Sequence, residues 1–187
     1  MNTILQQELK KILNGRFSQS ESTRLNYSRG EDTYDPILSK AVVFPETNEE
    51  VSKILKLCNE HKVPVVPFGT GTSLEGNVVG NDKGITISLE KMNKILSVNT
   101  QDFDCRVQAC VTREKLNDYL REDGVFFPID PGADAAIGGM ASTSASGTMA
   151  VKYGTMKTVI TGLTVVLPNG EIMNTGGRTK KTSAGYN

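Results

Sequence analysis

The stretch VVPFGTGTSLEG (residues 65–76) decides the fold. An apolar, strand-like run ends in three glycines and three hydroxyl side chains, and no charge occurs before Glu75. Glycine lets the main chain come close to a ligand, and successive backbone N–H groups with hydroxyls between them form a concavity that suits phosphate oxygens. The stretch therefore indicates either a phosphate-binding loop or an ordinary glycine-rich turn between two strands.

Two common phosphate motifs do not fit this stretch. The dinucleotide fingerprint GxGxxG fails because Leu74 stands where its third glycine belongs. The Walker pattern matches at Gly71 and Gly76, but it then requires Lys-Ser/Thr, and the sequence has Asn77-Val78. Rossmann and P-loop nucleotide sites are thereby excluded.

The segments around the stretch predict a small α/β unit. AVVFP (residues 41–45), VPVVPF (63–68) and GITISLE (84–90) are typical of strands. Thr47 with Glu50 predicts a capping box that opens a helix to about Glu60. Strand, helix, strand, loop and strand in this order favour parallel pairing.

The N-terminal part combines one helix with a polar segment. Apolar residues recur at helical spacing and Asn14-Gly15 supplies a stop, so the sequence predicts a short amphipathic helix carrying Leu5, Leu9, Ile12 and Leu13. The following stretch to about residue 40 is rich in turn formers, and we expect it to be weakly structured.

From about residue 94 the pattern changes. KILSV (94–98) and FDCRVQACV (103–111) are strand-like, residues 112–121 are helix-like, and ITGLTVVL-PNG-EIMNT (160–175) predicts a hairpin. This half is expected to pair mainly antiparallel.

Composition excludes several functional classes. The 21 Lys and Arg balance the 21 Asp and Glu and are scattered, so no nucleic-acid partner is expected. No apolar run is long enough to span a bilayer, and the N-terminus lacks a secretory signal, so a cytoplasmic location is expected. Cys58, Cys105 and Cys110 with the single His61 give neither a disulfide framework nor a metal site, and we interpret the three thiols as packing residues.

A second glycine- and hydroxyl-rich segment is FFPIDPGADAAIGGMASTSASG (residues 126–147). It is almost uncharged and has few large apolar groups after residue 138. Two such segments suggest one extended ligand with a diphosphate and a large neutral ring system. A tightly packed helix of small residues is the alternative.

Four motifs resemble one protein family. PFGTGTSLEGN (67–77), DPGADAAIGGMASTSASG (130–147), KYGTMKTVITGLTVVLPNG (152–170) and SAGYN (183–187) are similar to the FAD-binding (PCMH-type) domain of the vanillyl-alcohol-oxidase flavoproteins. The likeness is strongest to the cytochrome-linked D-lactate dehydrogenases and the flavin subunit of glycolate oxidase. It runs from about Arg29 to Asn187, and the motifs occur in the family's order and spacing.

The resemblance implies the fold and its divisions. We expect an α+β domain of two α/β subdomains, with a small parallel-containing sheet followed by a larger, mainly antiparallel one, and with FAD between them. Residues 1–37 would form an N-terminal helix and polar segment, residues 38–93 the first subdomain, and residues 94–187 the second, incomplete at its C-terminus. The family's substrate domain is expected to be absent.

The resemblance also implies the site residues. The first loop would cradle the FAD diphosphate through backbone N–H groups of Phe68, Gly69, Thr70, Gly71, Thr72, Ser73 and Leu74. The second segment would line the channel for the flavin and ribityl chain with Pro131, Gly132, Ala133, Gly138, Gly139, Thr143, Ser146 and Gly147. Three more residues would lie along the isoalloxazine or adenine, namely Tyr153, Gly154 and Ile160.

Some members of the superfamily attach FAD covalently through a histidine of the first loop. Thr72 occupies the corresponding position here, and the sole histidine, His61, stands at the expected C-terminus of a helix. The resemblance therefore implies non-covalent FAD, with His61 in a structural role.

The family oxidises D-2-hydroxy acids by transferring hydride from the substrate Cα to FAD. Its base, its carboxylate-binding arginines and its metal site come from the substrate domain, so no catalytic or metal residue is expected in this chain. The chain would be the FAD-binding portion of a D-lactate or glycolate dehydrogenase. The alternative is a non-catalytic remnant or a stand-alone FAD-binding module.

The same resemblance sets the expected partners. A second polypeptide carrying the missing part, a small 2-hydroxy acid and an electron acceptor would serve the complete enzyme, which could sit peripherally at a membrane. An open sheet edge and exposed apolar surface also predict a homodimer.

Overall fold

The computed structural model describes residues 3–179, and the chain folds into two compact units. Within the described residues, unit 1 comprises residues 3–91 with residues 166–173, and unit 2 comprises residues 92–165 with residues 174–179. The motif SAGYN lies outside the described residues.

Unit 1 contains seven elements. They are α1 (Thr3–Leu13), β1 (Phe17–Ser18), α2 (Glu21–Asn26), β2 (Val42–Val43), α3 (Asn48–Glu60), β3 (Val65–Phe68) and β4 (Ile85–Ser88). The strands form one sheet in the order β1-β2-β4-β3, in which β2, β4 and β3 are parallel and β1 is antiparallel to β2. The predicted parallel α/β unit is confirmed.

Helix periodicity builds the core of unit 1. Leu5, Leu9 and Leu13 of α1 are fully buried, as their spacing predicts, and they pack with Ile54 and Cys58 of α3. Burial raises the pKa of the Cys58 thiol to about 12, so this cysteine is an unreactive packing residue.

Two predictions for unit 1 need correction. The segment after α1 is more ordered than expected, because Phe17 pairs with Val43 and the Ser20 side chain caps α2 by accepting the Thr23 N–H. Thr47 does cap α3 by accepting the Glu50 N–H at 3.1 Å.

The second half of that capping box does not form. The Glu50 carboxylate instead accepts two hydrogen bonds from the Arg16 guanidinium at 2.6 and 2.5 Å, and one from the Glu46 N–H at 2.8 Å. A charged bidentate donor outcompetes the N-cap backbone.

Unit 2 begins with the antiparallel pair β5 (Ile95–Asn99) and β6 (Asp104–Val107). The predicted helix follows as α4 (Arg113–Leu120), capped by the Thr112 side chain, and leads into a 3-10 turn (Arg121–Asp123). Three short helices come next, α5 (Ile137–Ser142), α6 (Ala150–Tyr153) and α7 (Met156–Val159). The core is formed by Val111, Leu116, Leu120, Ile129, Ile137, Met140 and Met156.

The predicted hairpin is present as β7 (Gly162–Val166) and β8 (Ile172–Gly176), which form a two-stranded sheet. The expected larger antiparallel sheet is thus two separate strand pairs in the described residues. β6 reaches β7 through a side chain, from Arg106 to Thr164 Oγ1 at 3.4 Å, and the two pairs share no backbone ladder.

Cys105 is exposed, so its interpretation as a packing residue was wrong; it lies on β6, in a two-stranded sheet that no further strand joins within the described residues. No helix within residues 3–179 has the length and apolar character needed to cross a membrane. Over the same range, no group of three or more His, Cys, Asp or Glu side chains could hold a metal ion.

Candidate functional site

The first predicted segment leaves the carboxyl end of β3. Phe68, the last residue of that strand, pairs with Ser88 of β4 and is 6% exposed. Its ring packs edge-on against Tyr27, with centroids 5.0 Å apart, and Tyr27 packs in the same manner on Phe44, which follows β2. Ligands of parallel sheets bind at the carboxyl ends of the strands, so the loop starts where such a site is expected.

Gly71 is required at its position for two reasons. Its φ of +77° lies in the left-handed region, and a Cβ there would stand 2.8 Å from the Phe68 ring. The loop therefore folds back over the aromatic ring at the strand end.

The main-chain amides of this loop are its main chemical feature. The N–H groups of Gly71, Thr72, Ser73 and Leu74 find no acceptor among residues 3–179. Gly71, Thr72 and Ser73 are only half-buried, so these donors can reach a ligand. A run of unpaired N–H groups in a glycine-rich turn is an anion-binding concavity.

The hydroxyls beside these amides make contacts within the chain. Thr70 Oγ1 and Thr72 Oγ1 lie 3.4 Å apart, and Ser73 Oγ donates to Asn77 Oδ1 at 2.7 Å. The segment from Phe68 to Leu74 contains no charged side chain. Backbone dipoles and hydroxyls are thus what this loop presents to an anion.

The second predicted segment is partly a helix of small residues, α5. Ser142 Oγ donates to the Gly138 carbonyl at 2.9 Å and Thr143 Oγ1 to the Gly139 carbonyl at 3.2 Å. The Thr143 hydroxyl hydrogen is therefore used within the helix, and only its oxygen can accept a bond from a ligand.

Two adjacent glycines of α5 differ in what surrounds them. A Cβ on Gly138 would lie 2.8 Å from the Ala109 Cβ, and the Gly138 N–H donates to the Ala109 carbonyl at 2.8 Å. A Cβ on Gly139 would meet nothing within 4 Å. The chain's own packing explains Gly138, whereas the space beside Gly139 is free for a ligand.

The remaining residues of this segment lie on its two flanking loops. Gly132 has a φ of +92° and open space around it. A Cβ on Gly147 would collide with the Asp130 carbonyl, so the loop after α5 lies directly on residue 130. The N–H groups of Ser146, Gly147 and Thr148 find no acceptor in the described part of the chain, which gives unit 2 a second run of free donors.

Three predicted site residues lie at the C-terminal ends of α6 and α7. The Tyr153 ring packs edge-on against Phe126 at 5.5 Å, with Lys152 Nζ 5.0 Å from its centroid. Gly154 has a φ of +81° and lies against the Thr158 side chain, and Ile160 is half-buried against the core of unit 2. Tyr153, Gly154 and Ile160 are therefore each in contact with other residues of unit 2.

The structure adds positioning contacts that the sequence reasoning missed. The N-terminus of α4 holds the loop before α5, because the Arg113 N–H donates to the Ala135 carbonyl at 3.2 Å and the Glu114 N–H to Asp134 Oδ1 at 2.9 Å. Arg113 Nε lies 3.7 Å from Asp130 Oδ1. A signal was available in the paired aspartates of DPGAD, which can cap a helix distant in sequence.

The predicted residues thus fall into two groups. The seven residues Phe68 to Leu74 come together in unit 1, and the eleven from Pro131 to Ile160 belong to unit 2. Each group contains a run of free backbone donors, and unit 2 adds the open space at Gly139.

Comparisons with known proteins bear on this arrangement. The profile of a family described as an FAD binding domain matches residues 39–176. A probable mitochondrial D-lactate dehydrogenase of Danio rerio is 47% identical over 173 residues, which are 91% of this chain and 35% of that protein. Glycolate oxidase subunit GlcD of Bacillus subtilis is 35% identical over 172 residues, 91% of this chain and 37% of that protein.

A solved structure supports the same fold. Alkyldihydroxyacetonephosphate synthase superposes with a TM-score of 0.84 at 23% identity, covering 95% of this chain and 36% of that one. The expected α+β FAD-binding fold is thereby confirmed. This chain spans about a third of the length of the curated relatives it matches.

Proposed function

The chain belongs to the FAD binding domain family, and from this premise we propose that it is the FAD-binding portion of a flavin-dependent D-2-hydroxy acid dehydrogenase. The substrate would be D-lactate or glycolate, in keeping with the names of the relatives from Danio rerio and Bacillus subtilis.

The observation that carries the proposal is the run of four unpaired N–H groups from Gly71 to Leu74. Leaving backbone donors without partners is unfavourable unless water or a ligand satisfies them. A diphosphate offers several anionic oxygens, and hydrogen bonds to charged acceptors are about twice as strong as neutral ones.

We assign the flavin and the ribityl chain of the cofactor to unit 2. Glycine inside a helix costs about 1 kcal/mol relative to alanine, so a glycine that nothing in the chain crowds needs another reason. Gly139 is such a residue, and space for a flavin supplies that reason. We assign the flavin and ribityl chain to the segment around Gly132, Gly139 and Ser146, and the neighbouring ring system to Tyr153, Gly154 and Ile160.

When bound, FAD supplies the redox chemistry, because its flavin ring accepts a hydride equivalent from a hydroxy acid. The residues described above bind and orient the cofactor. We assign no catalytic base to this chain. The residues that bind the hydroxy acid would come from the part of an oxidoreductase that the match with the relatives does not cover, in a second polypeptide or elsewhere in a longer one.

Attachment of FAD is proposed to be non-covalent. Thr72 stands in the loop position that the resemblance gives to a linking histidine, and a threonine hydroxyl is no substitute for an imidazole. His61 caps the C-terminus of α3 and precedes the amino end of β3, whereas the loop follows the carboxyl end of that strand. Acid precipitation should therefore leave the flavin in the supernatant.

The decisive experiment titrates the purified full chain with FAD, following flavin fluorescence and confirming the stoichiometry by equilibrium dialysis. One FAD per chain is expected, and a folded chain that binds none at saturation would overturn the proposal. The loaded chain is then mixed with D-lactate or glycolate and a dye acceptor. Turnover with one acid would select the substrate and exclude a non-catalytic module. FAD binding without turnover agrees with both alternatives, because no substrate-binding residue is assigned to this chain.

The cytoplasmic location is kept as a proposal. The Danio rerio relative is named as mitochondrial. Cell fractionation with an antibody to the chain distinguishes the two compartments.

A further inference from the structure

The segment Ser28–Tyr34 (SRGEDTY), termed the clamp segment, contacts the first loop and the residues that follow the loop. It follows α2 and lies outside residues 39–176, which the family profile matches. The Gly80 N–H donates to the Ser28 carbonyl at 3.0 Å, and a Cβ on Gly76 would stand 2.8 Å from the Tyr34 ring. The clamp segment and the loop therefore form one packed unit of structure.

Gly30 is the centre of this contact. A Cβ on Gly30 would lie 2.5 Å from the Ser73 carbonyl oxygen and 3.0 Å from that of Gly71. The backbone of Gly30 is not in the left-handed region, so its conformation alone does not require glycine. The close approach of the loop is what requires a residue without a side chain here.

Asp32 fixes the shape of the clamp segment. Its carboxylate accepts the Gly30 N–H on Oδ2 and the Tyr34 N–H on Oδ1, each at 3.0 Å. Ser28 is fully buried, and its hydroxyl donates to the Leu25 carbonyl at 2.7 Å. The clamp segment is thus held by its own hydrogen bonds and by the end of α2.

The positions of the Gly71 and Ser73 carbonyls determine the direction of the N–H groups that follow them in the loop. In a planar trans peptide, the carbonyl of one residue and the N–H of the next point in opposite directions. The Gly71 and Ser73 carbonyl oxygens face Gly30, so the N–H groups of Thr72 and Leu74 point away from it. These are two of the four unpaired donors assigned above to the diphosphate.

We propose that the clamp segment is a positioning element for the cofactor: Gly30 and Asp32 orient the Thr72 and Leu74 amides toward the diphosphate of FAD. The inference rests on the proposed function of the loop. Gly30 and Asp32 act through the loop and do not themselves touch the cofactor.

The test compares Gly30→Ala with Gly177→Ala in the full chain. A Cβ on Gly177 meets nothing within 4 Å and its φ is not left-handed, so that variant controls for the glycine-to-alanine change itself. Dissociation constants are measured for FAD and for riboflavin, which has the flavin ring but no phosphate. Hydrogen exchange of residues 71–74 is followed with and without FAD.

Gly30→Ala should weaken FAD about tenfold, as expected when one or two charge-assisted hydrogen bonds are misdirected, and leave riboflavin affinity unchanged. FAD should also no longer protect the amides of Thr72 and Leu74 from exchange. Gly177→Ala should behave as the wild type. Asp32→Asn, which keeps the side-chain size but only one acceptor oxygen, should give the same pattern more weakly, and it serves if Gly30→Ala does not fold.

The outcomes separate the two proposals. Failure of the wild-type chain to bind FAD would overturn the proposed function. If the wild type binds FAD, equal FAD affinity in the Gly30 and Asp32 variants would overturn the positioning role. An equal loss of FAD and riboflavin affinity, accompanied by a lower melting temperature, would also overturn it, because a purely structural defect affects both ligands.

Discussion

Gly138 and Gly139 are neighbours in α5 but have different reasons for being glycine. The first is crowded by Ala109, and the second is uncrowded. Substitution to alanine should therefore separate the folding requirement from the ligand requirement at two consecutive residues.

For Gly139→Ala we expect unchanged or slightly higher stability, by up to about 1 kcal/mol, since alanine is the better helix former. FAD affinity should fall at least about tenfold, because the methyl group occupies space assigned to the flavin. Gly138→Ala should instead lower the free energy of unfolding by about 1–3 kcal/mol through overpacking against Ala109. Thermal melts of the chain without FAD and FAD titrations measure both effects, and undiminished FAD affinity in Gly139→Ala would remove this residue from the site.

At the scale of elements, one ion pair joins the segment after α1 to the start of α3. Glu50 and Arg16 side chains are each 19% exposed, and two hydrogen bonds connect them. The hydrogen bonds from Arg16 hold the pKa of the Glu50 carboxyl below its usual range. A carboxyl whose pKa is lowered on folding contributes stability above its unfolded pKa, and this contribution is lost as the pH falls through the folded value.

Glu50→Gln should therefore destabilise the chain at pH 7 by about 1–2 kcal/mol, the scale of hydrogen bonds to charged groups. The difference from the wild type should shrink as the pH falls below the usual carboxyl range and through the lowered pKa of the folded-state Glu50 carboxyl. Urea unfolding at pH 7, 5 and 3 measures this. A destabilisation that is the same at all three pH values would show that the charge of Glu50 is irrelevant and only its shape matters.

A second element-scale prediction concerns the loop held by α4. Asp134→Ala removes the acceptor of the Glu114 N–H, so the free energy of unfolding should fall by about 1 kcal/mol, as for other helix caps. FAD affinity should fall as well, because the loop carries Pro131, Gly132 and Ala133. Asp134→Asn keeps an acceptor oxygen and should restore both quantities, and unchanged FAD binding in Asp134→Ala would show that this loop needs no support from α4.

The elements differ in how well the sequence predicts them, for physical reasons. β3 and β4 are short apolar runs between turn residues, and α3 carries both a cap and an amphipathic pattern, so local signals suffice. β1 and α2 have almost no apolar pattern; Phe17 pairs with Val43 only once β2 is in place. The Glu50 capping box has a correct local signal, but Arg16, 34 residues away, supplies a better partner.

The same distinction applies to the candidate site. The first loop is visible in the sequence because glycines and hydroxyls cluster within seven residues. The role of Gly30 is not, because only the folded chain places the Ser73 carbonyl beside it. Positioning residues distant in sequence need the structure, whereas the loop amides themselves do not.

At the scale of the whole molecule, exposed apolar side chains bear on the predicted homodimer. Phe103 is 82% exposed and Val151 is 102% exposed in unit 2, and Leu74 is 68% exposed in unit 1. Exposed apolar side chains favour association where they form a contiguous patch. Sedimentation of the full chain should therefore show a concentration-dependent shift toward dimer.

Phe103 provides the sharpest test of the homodimer prediction. Both the exposure of its ring and its backbone conformation are unfavourable in the isolated chain. Its φ of 55° lies in the left-handed region, which asparagine tolerates far better than a bulky residue. Phe103→Asn should therefore raise the free energy of unfolding by about 1 kcal/mol and weaken self-association together. Val151→Ser removes exposed apolar surface from a helical residue without relieving a left-handed φ, so it should weaken association without the gain in stability. If the wild type sediments as a monomer at every concentration, the homodimer prediction is wrong. If the wild type and Val151→Ser form dimers and Phe103→Asn does not, the dimer contact lies at the β5–β6 turn.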